Sequence, residues 1–161
     1  MFFRYLCVVN DRFREKMVEV YKVTTVSAKL SKAFERLLPQ LSQSAQMPNN
    51  QQIEQLIECN STHLFVAERD DEIVGMLSLV VVDIPTGRKA WIEDVVVDEA
   101  ARGLHIGYAL VEKAKEVAAE LGAKKIYLTS NPSRKAAHAL YEKSGFERYD
   151  TTLFRINLTT K

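Results

Sequence analysis

The stretch Trp91-Ile92-Glu93-Asp94-Val95-Val96-Val97-Asp98-Glu99-Ala100-Ala101-Arg102-Gly103-Leu104-His105-Ile106-Gly107, continued by an amphipathic run to Leu121, decides how this chain is read. Ile92, Val95, Val96 and Val97 are β-branched and suit a buried strand. From Ile106 onward, Leu110, Val117 and Leu121 recur at helical spacing, while Glu112, Lys113, Lys115, Glu116 and Glu120 take the opposite face. Gly122 supplies the stop. The order is strand, tight turn, helix. Gly103 and Gly107 bracket the point where the first N–H groups of the helix emerge without intrahelical partners and the helix dipole is positive. Such a turn can hold a phosphate, and glycines let a ligand approach the main chain. Two glycines at a helix start also commonly do nothing more than turn the chain.

Downstream, residues 125–129 predict a further strand. Asn131-Pro132-Ser133 then opens a helix that runs to about Ser144, with Pro132 in its first turn and Ala136, Leu140 and Tyr141 along it. Gly145-Phe146 ends that helix, and residues 153–158 predict a final strand. Upstream, residues 18–24 predict the first strand and residues 28–38 a helix with Leu30, Phe34, Leu37 and Leu38 near one face. Pro39 is expected to close it, because proline disfavours the helical conformation in the residue before it. A mostly polar loop leads through Pro48-Asn49-Asn50 to a second helix over residues 51–59, carrying Ile53, Leu56 and Ile57. His63 reads as a plain strand-edge residue ahead of a strand over 64–68. Arg69-Asp70-Asp71-Glu72 forms a charged hairpin turn into a long apolar strand over 73–82, and Pro85-Thr86-Gly87-Arg88 delivers the chain to Trp91. The sum is strand, two helices, three antiparallel strands, helix, strand, helix, strand. That order predicts an α+β fold, a mixed, mostly antiparallel central sheet flanked by helices.

At 161 residues the chain is long enough for one domain with a sizeable core. Its apolar content of 47% and charged content of 27% are those of an ordinary globular protein. A formal net charge of +1 gives no strong attraction to nucleic acid or an anionic membrane, and neither is expected as a partner. Cys7 and Cys59 lack a paired or metal-ligand spacing, which predicts reduced thiols in a cytoplasmic protein. His63, His105 and His138 are scattered, so no metal site is expected. Phe2-Phe3-Arg4-Tyr5-Leu6-Cys7-Val8-Val9 is far too short for a membrane span and precedes no small-residue cleavage site. Residues 1–16 are therefore expected to lie outside the core as an N-terminal extension, with the domain over residues 17–161. The choice between monomer and homodimer stays open.

The frame Arg102-Gly103-Leu104-His105-Ile106-Gly107, directly after a strand and opening a helix, resembles the central motif of the GNAT superfamily of acyl-CoA-dependent N-acetyltransferases. That motif is Gln or Arg, two free positions, Gly, a free position, then Gly or Ala. His105 stands where the family has its middle glycine. A second segment resembles the family's later motif independently: Asn131, then a helix ending in Leu140-Tyr141, three residues, and Gly145-Phe146. The similarity covers residues 68–155 well and the first half in element order only. Glu93 to Val97 also resembles members that acetylate hexosamine phosphates, which does not fix the substrate.

The resemblance implies acetyl-CoA as cosubstrate, no metal, and a small-molecule or peptide amine as acceptor. It implies a bulged strand splayed from its neighbour, with main-chain groups of Val95 and Val97 bonding the pantetheine arm and an N–H near Val96 or Val97 meeting the thioester oxygen. Arg102, Gly103, Leu104, His105, Ile106, Gly107 and Tyr108 would cradle the pyrophosphate. Asn131 would contact the cofactor arm, and Arg134 or Lys135 could reach its phosphates or simply solvate a helix face. Tyr141 matches the family's general acid, since a phenol with a pKa near ~10 is protonated at neutral pH. Its competing reading is a structural tyrosine. Glu93 and Asp94 would point to opposite faces of a regular strand, and Glu93, directly or through water, is the candidate base. Its competing reading is a carboxylate paired with a nearby cation. A non-catalytic acyl-CoA-binding sensor is the alternative function.

Overall fold

A computed structural model of the chain describes residues 17–158. The extension expected over residues 1–16 lies outside the described residues. The elements are β1 (Glu19–Lys22), α1 (Ala28–Leu41), α2 (Asn50–Glu58), β2 (Thr62–Arg69), β3 (Glu72–Ile84), β4 (Gly87–Val97), a 3-10 turn (Glu99–Ala101), α3 (Ile106–Glu120), β5 (Ile126–Leu128) and α4 (Lys135–Lys143). The strands form one sheet in the order β1-β2-β3-β4-β5; β1 to β4 are antiparallel and β5 runs parallel to β4. This is the mixed α+β architecture read from the sequence.

Helices cover both faces of the sheet, which is why β2 and β3 are apolar on both sides. Side chains alternate between those faces. Phe65, Leu77, Leu79 and Ile92 pack with Ile106, Leu110 and Val111 of α3. Leu64, Val66, Met76 and Val96 pack with Leu30, Phe34 and Leu37 of α1 and Ile53 of α2. Each such side chain contributes roughly 1.5–3 kcal/mol when fully buried. Ser27 Oγ caps α1 by accepting from Leu30 N–H at 3.1 Å. Asn49 and Gln52 form a reciprocal capping box at the start of α2.

Four local expectations are corrected. Pro39 does not end α1, which continues to Leu41. Ser42 N–H donates to Leu38 O at 3.0 Å and Gln40 Nε2 to Arg36 O at 3.1 Å, so the last turn keeps its bonds although Pro39 lacks its own N–H. The second correction is that α4 begins at Lys135, because Asn131 Oδ1 takes both the Ser133 N–H at 2.9 Å and its hydroxyl at 2.8 Å and holds a turn there. His63 is not an edge residue. It lies within β2 opposite Leu79, buried, with Nδ1 unpartnered; burial first and the Lys22 charge second push its pKa down. Finally, residues 151–158 join no strand. Alternation shows what a strand would present to its neighbours; it does not supply the neighbour.

Candidate functional site

The site begins with an irregularity in β4. Met76 pairs with Val96 and Ser78 with Glu93, so Leu77 alone faces both Asp94 and Val95. Asp94 is the inserted residue and takes a left-handed φ of 52°. The bulge resets the alternation: Ile92 lies on the α3 side, and Val95 and Val97 pack on that side as well, while Val96 faces the α1 side. The regular-strand alternation expected for Glu93 and Asp94 therefore does not hold. β5 pairs only with Ala90, Trp91 and Ile92. Beyond Ile92 the β4 edge diverges from β5, and among the described residues no strand pairs that edge from Glu93 to Val97. Such an edge offers N–H and C=O groups to an extended ligand.

The start of α3 points at the same place. His105 is its N-cap residue, with a left-handed φ of 57° and no side-chain capping bond, and no acidic side chain stands in the first turn. The positive helix end is left without an anion of its own. α3 can seat closely on the sheet because Gly75 has no side chain; a Cβ there would lie 3.1 Å from Ile106 Cγ2 and 3.2 Å from Val96 O. Gly107 has a different task from the one its motif suggests. A Cβ on it would meet Leu140 Cδ2 at 3.0 Å and Val97 Cγ2 at 3.6 Å, so this glycine makes room for α4.

α1 holds the turn that joins β4 to α3. Arg36 Nε lies 2.6 Å from Asp98 Oδ2, and Asp98 Oδ1 accepts from Ala100 N–H at 3.0 Å. Gln40 Oε1 accepts from Glu99 N–H at 2.9 Å. Sequence reading missed both α1 residues, since nothing local ties positions so far apart in the chain.

These parts enclose a cavity of about 770 Å³. Val95, Val96, Val97, Arg102, Gly103, His105, Ile106, Gly107, Tyr108, Arg134 and Tyr141, all singled out in the sequence, line it. Leu104, Asn131 and Glu93 do not. Leu104 packs against the α3-side core, Asn131 is engaged by Ser133, and Glu93 sits opposite Ser78. Gln40, Leu41 and Lys143 line it unexpectedly. Arg134 Nη2 donates to Leu41 O at 3.0 Å and so joins α4 to the end of α1, while Lys143 Nζ lies 5.3 Å from the centre of the Tyr108 ring.

Tyr141 is held by its neighbours. Its ring meets Phe146 edge-on at 6.0 Å, and Phe146 N–H closes the helix end onto Tyr141 O at 2.9 Å. Burial pushes its pKa above the ordinary phenol value, opposed by the Arg134 charge. Desolvation pushes Glu93 up, and the Asp94 charge adds to it. The described residues contain no group of three or more His, Cys, Asp or Glu that could hold a metal ion.

Comparison with known proteins agrees with this geometry. Residues 28–146 match the model of the acetyltransferase (GNAT) family. The chain is 30% identical over 103 residues to N-acetyltransferase 8B of Homo sapiens, covering 63% of this chain and 45% of that protein. It is 33% identical over 91 residues to the aminoalkylphosphonate N-acetyltransferase of Salmonella typhimurium, covering 55% and 58%. The chain thus spans about half the length of these curated relatives. Among solved structures, an acetyltransferase from Trypanosoma brucei is 26% identical with a TM-score of 0.72, covering 88% of this chain and 99% of that one.

Proposed function

Since the chain belongs to the acetyltransferase (GNAT) family, we propose that it moves an acetyl group from acetyl-CoA to a primary amine by direct attack within a ternary complex. One observation carries this reading: the free edge of β4, the uncapped start of α3 and Tyr141 all line a single cavity. Those residues suit that carrier. Main-chain groups of Val95 and Val97 take the pantetheine arm as an added strand would. The N–H groups at the start of α3, with Arg102 beside them, take the pyrophosphate.

In the reaction the amine nitrogen forms a bond to the acetyl carbon as the carbon–sulfur bond breaks. A main-chain N–H near Val96 or Val97 meets the charge that develops on the thioester oxygen. Tyr141, kept protonated by its burial, gives its proton to the departing thiolate, and the phenolate takes back the second proton that the nitrogen sheds as the amide forms. The proton lost by the ammonium goes to Glu93; because Glu93 stands outside the cavity wall, it travels through water. The acceptor is a small-molecule or peptide amine, and we place the reaction in the cytoplasm, without nucleic acid or membrane as partner. The thiol of Cys59, free among the described residues, suits that compartment.

Tyr141→Phe tests the assignment, because it keeps the Phe146 contact and removes the acid. Acetyl-CoA affinity measured by calorimetry should be retained while kcat falls by about 10²–10⁴. Unchanged turnover would remove Tyr141 from the mechanism. Tight acetyl-CoA binding without transfer to any of a broad panel of amines would favour a non-catalytic sensor.

A further inference from the structure

On the α1 side, one part of the sheet packs into neither core. Ala90 and Ile92 point to the α3 side, so Lys89, Trp91 and Glu93 share the other face of β4. There α1 and α2 pack over Leu64, Met76 and Val96, while Val80 and Trp91 belong to neither cluster.

This strip is ordered by charge. Glu93 stands at the end where β4 parts from β5. Next comes an aromatic row. Trp91 lies between Val80 of β3 and Tyr127 of β5, and its ring stacks on Tyr127 with centres 5.2 Å apart. Lys89 follows, its Nζ 5.9 Å from the centre of the Tyr127 ring. Because Ala90 pairs with Ile126 and its N–H donates to Lys125 O at 3.0 Å, the ladder continues to Lys125, and alternation sets that exposed lysine beside Lys89. Among the described residues no ion pair neutralises either lysine. Their neighbour Arg88 differs: it pairs with Asp83 at 2.7 Å and reaches Leu121 O at the end of α3, on the opposite face. Two adjacent ammonium groups repel each other, and an anion placed between them reverses that.

Glu93 and Lys89 are about 13 Å apart along the strand, and Lys89 leans back over Tyr127. A molecule that matches the strip carries an amine at one end and an anion at the other, separated by an apolar or ring skeleton about 7–13 Å long. We propose that the strip binds the acceptor, and that the acceptor is an amine with a carboxylate or phosphate at its far end. Lys89 and Lys125 hold the anion, and the skeleton lies over Trp91 and Tyr127. The role of the amine rests on the proposed acetyl transfer; recognition of the anion does not.

Probes that differ only in their tails test this: para-aminomethylbenzoate, para-aminomethylphenyl phosphate and para-aminomethylbenzamide, with ε-aminocaproate and its amide as flexible counterparts. For the full chain with acetyl-CoA, kcat/KM should favour an anionic tail over the amide by at least about tenfold. Preference for either anion supports the proposal and identifies the anion. Lys89→Met/Lys125→Met should bring the tails level while turnover of the amide probes is retained. Lys89→Glu/Lys125→Glu should reverse the preference toward para-bis(aminomethyl)benzene, a result that mere loss of structure does not give. Calorimetry of the same probes against protein saturated with CoA separates the two readings. Binding that favours the anionic tail and needs the lysines, without acetylation of any probe, would sink the transfer reading and uphold the strip. Acetylation indifferent to the tail, or a preference that survives the Met variant, would overturn the strip and leave the transfer standing. Failure of every anionic probe to bind also overturns it.

Discussion

Arg36 Nε lies 2.6 Å from Asp98 Oδ2 and ties the middle of α1 to the first residue after β4. Arg36 also donates through Nη2 to Ile73 O at 2.7 Å, so one guanidinium spans the α1 helix, β3 and the turn. Only 12% of the Asp98 side chain is exposed, against 39% for Arg36. Arg36→Met leaves an enclosed carboxylate without its cation, while the accessible Arg36 side moderates the loss. The expected cost is about 1–3 kcal/mol in chemical denaturation, together with weaker acetyl-CoA binding as the turn before α3 loosens. Unchanged stability and affinity would show that the pair positions nothing.

Gly107 and Leu140 form the second expected coupling. Gly107→Ala places a methyl group 3.0 Å from Leu140 Cδ2, so the Leu140 side chain on α4, the helix that carries Tyr141, must give by a few tenths of an ångström. Acetyl-CoA affinity and turnover should both fall, and Leu140→Ala in the same chain should restore part of each. A double-mutant cycle should show a coupling of about 0.5–3 kcal/mol. Strict additivity would mean that the substitution acts on the bound phosphate alone.

His105 adopts φ 57°, a conformation that costs a residue with a Cβ about 1–2 kcal/mol. His105→Gly should therefore preserve or raise thermal stability, with acetyl-CoA affinity retained. A large loss of affinity would mean that the imidazole itself holds the cofactor.

The pH dependence of kcat at saturating substrates follows from two pKa shifts in the same direction. Glu93 must be ionised to accept a proton, and its pKa is raised, so the acid limb should lie above the ordinary glutamate value of ~4.3. Tyr141 must be protonated, and its pKa is also raised, so the alkaline limb should lie above ~10. Glu93→Gln should abolish the acid limb. A limb unchanged in that variant would assign it to another group.

Much of this molecule was legible locally. The helix stops at Gly122 and Gly145 appear as read, both with positive φ. The two-aspartate hairpin at Asp70 and Asp71 does as well, with both residues left-handed in the manner of a type I′ turn. The arginine-to-glycine turn after β4 and the tyrosine of α4 were singled out by their resemblance to the family's two motifs, and both line one cavity. The strand expected over 153–158 failed because its pattern needed a partner that the described chain does not present. Glu93 was read on a regular strand, and the pairing of β4 with β3 inserts Asp94 beside it.

The sequence by itself determined the order of elements from β1 to α4, the apolar character of β2 and β3, and the strand–turn–helix with its uncapped tip. Those depend on periodicity and backbone preference, which act between residues a few positions apart. Tertiary structure alone decided where β4 bulges, where it parts from β5, that Arg36 and Gln40 hold the turn, and that Gly107 admits Leu140. Each of those is a contact between distant segments, set by which strands pair and how closely the helices can approach them.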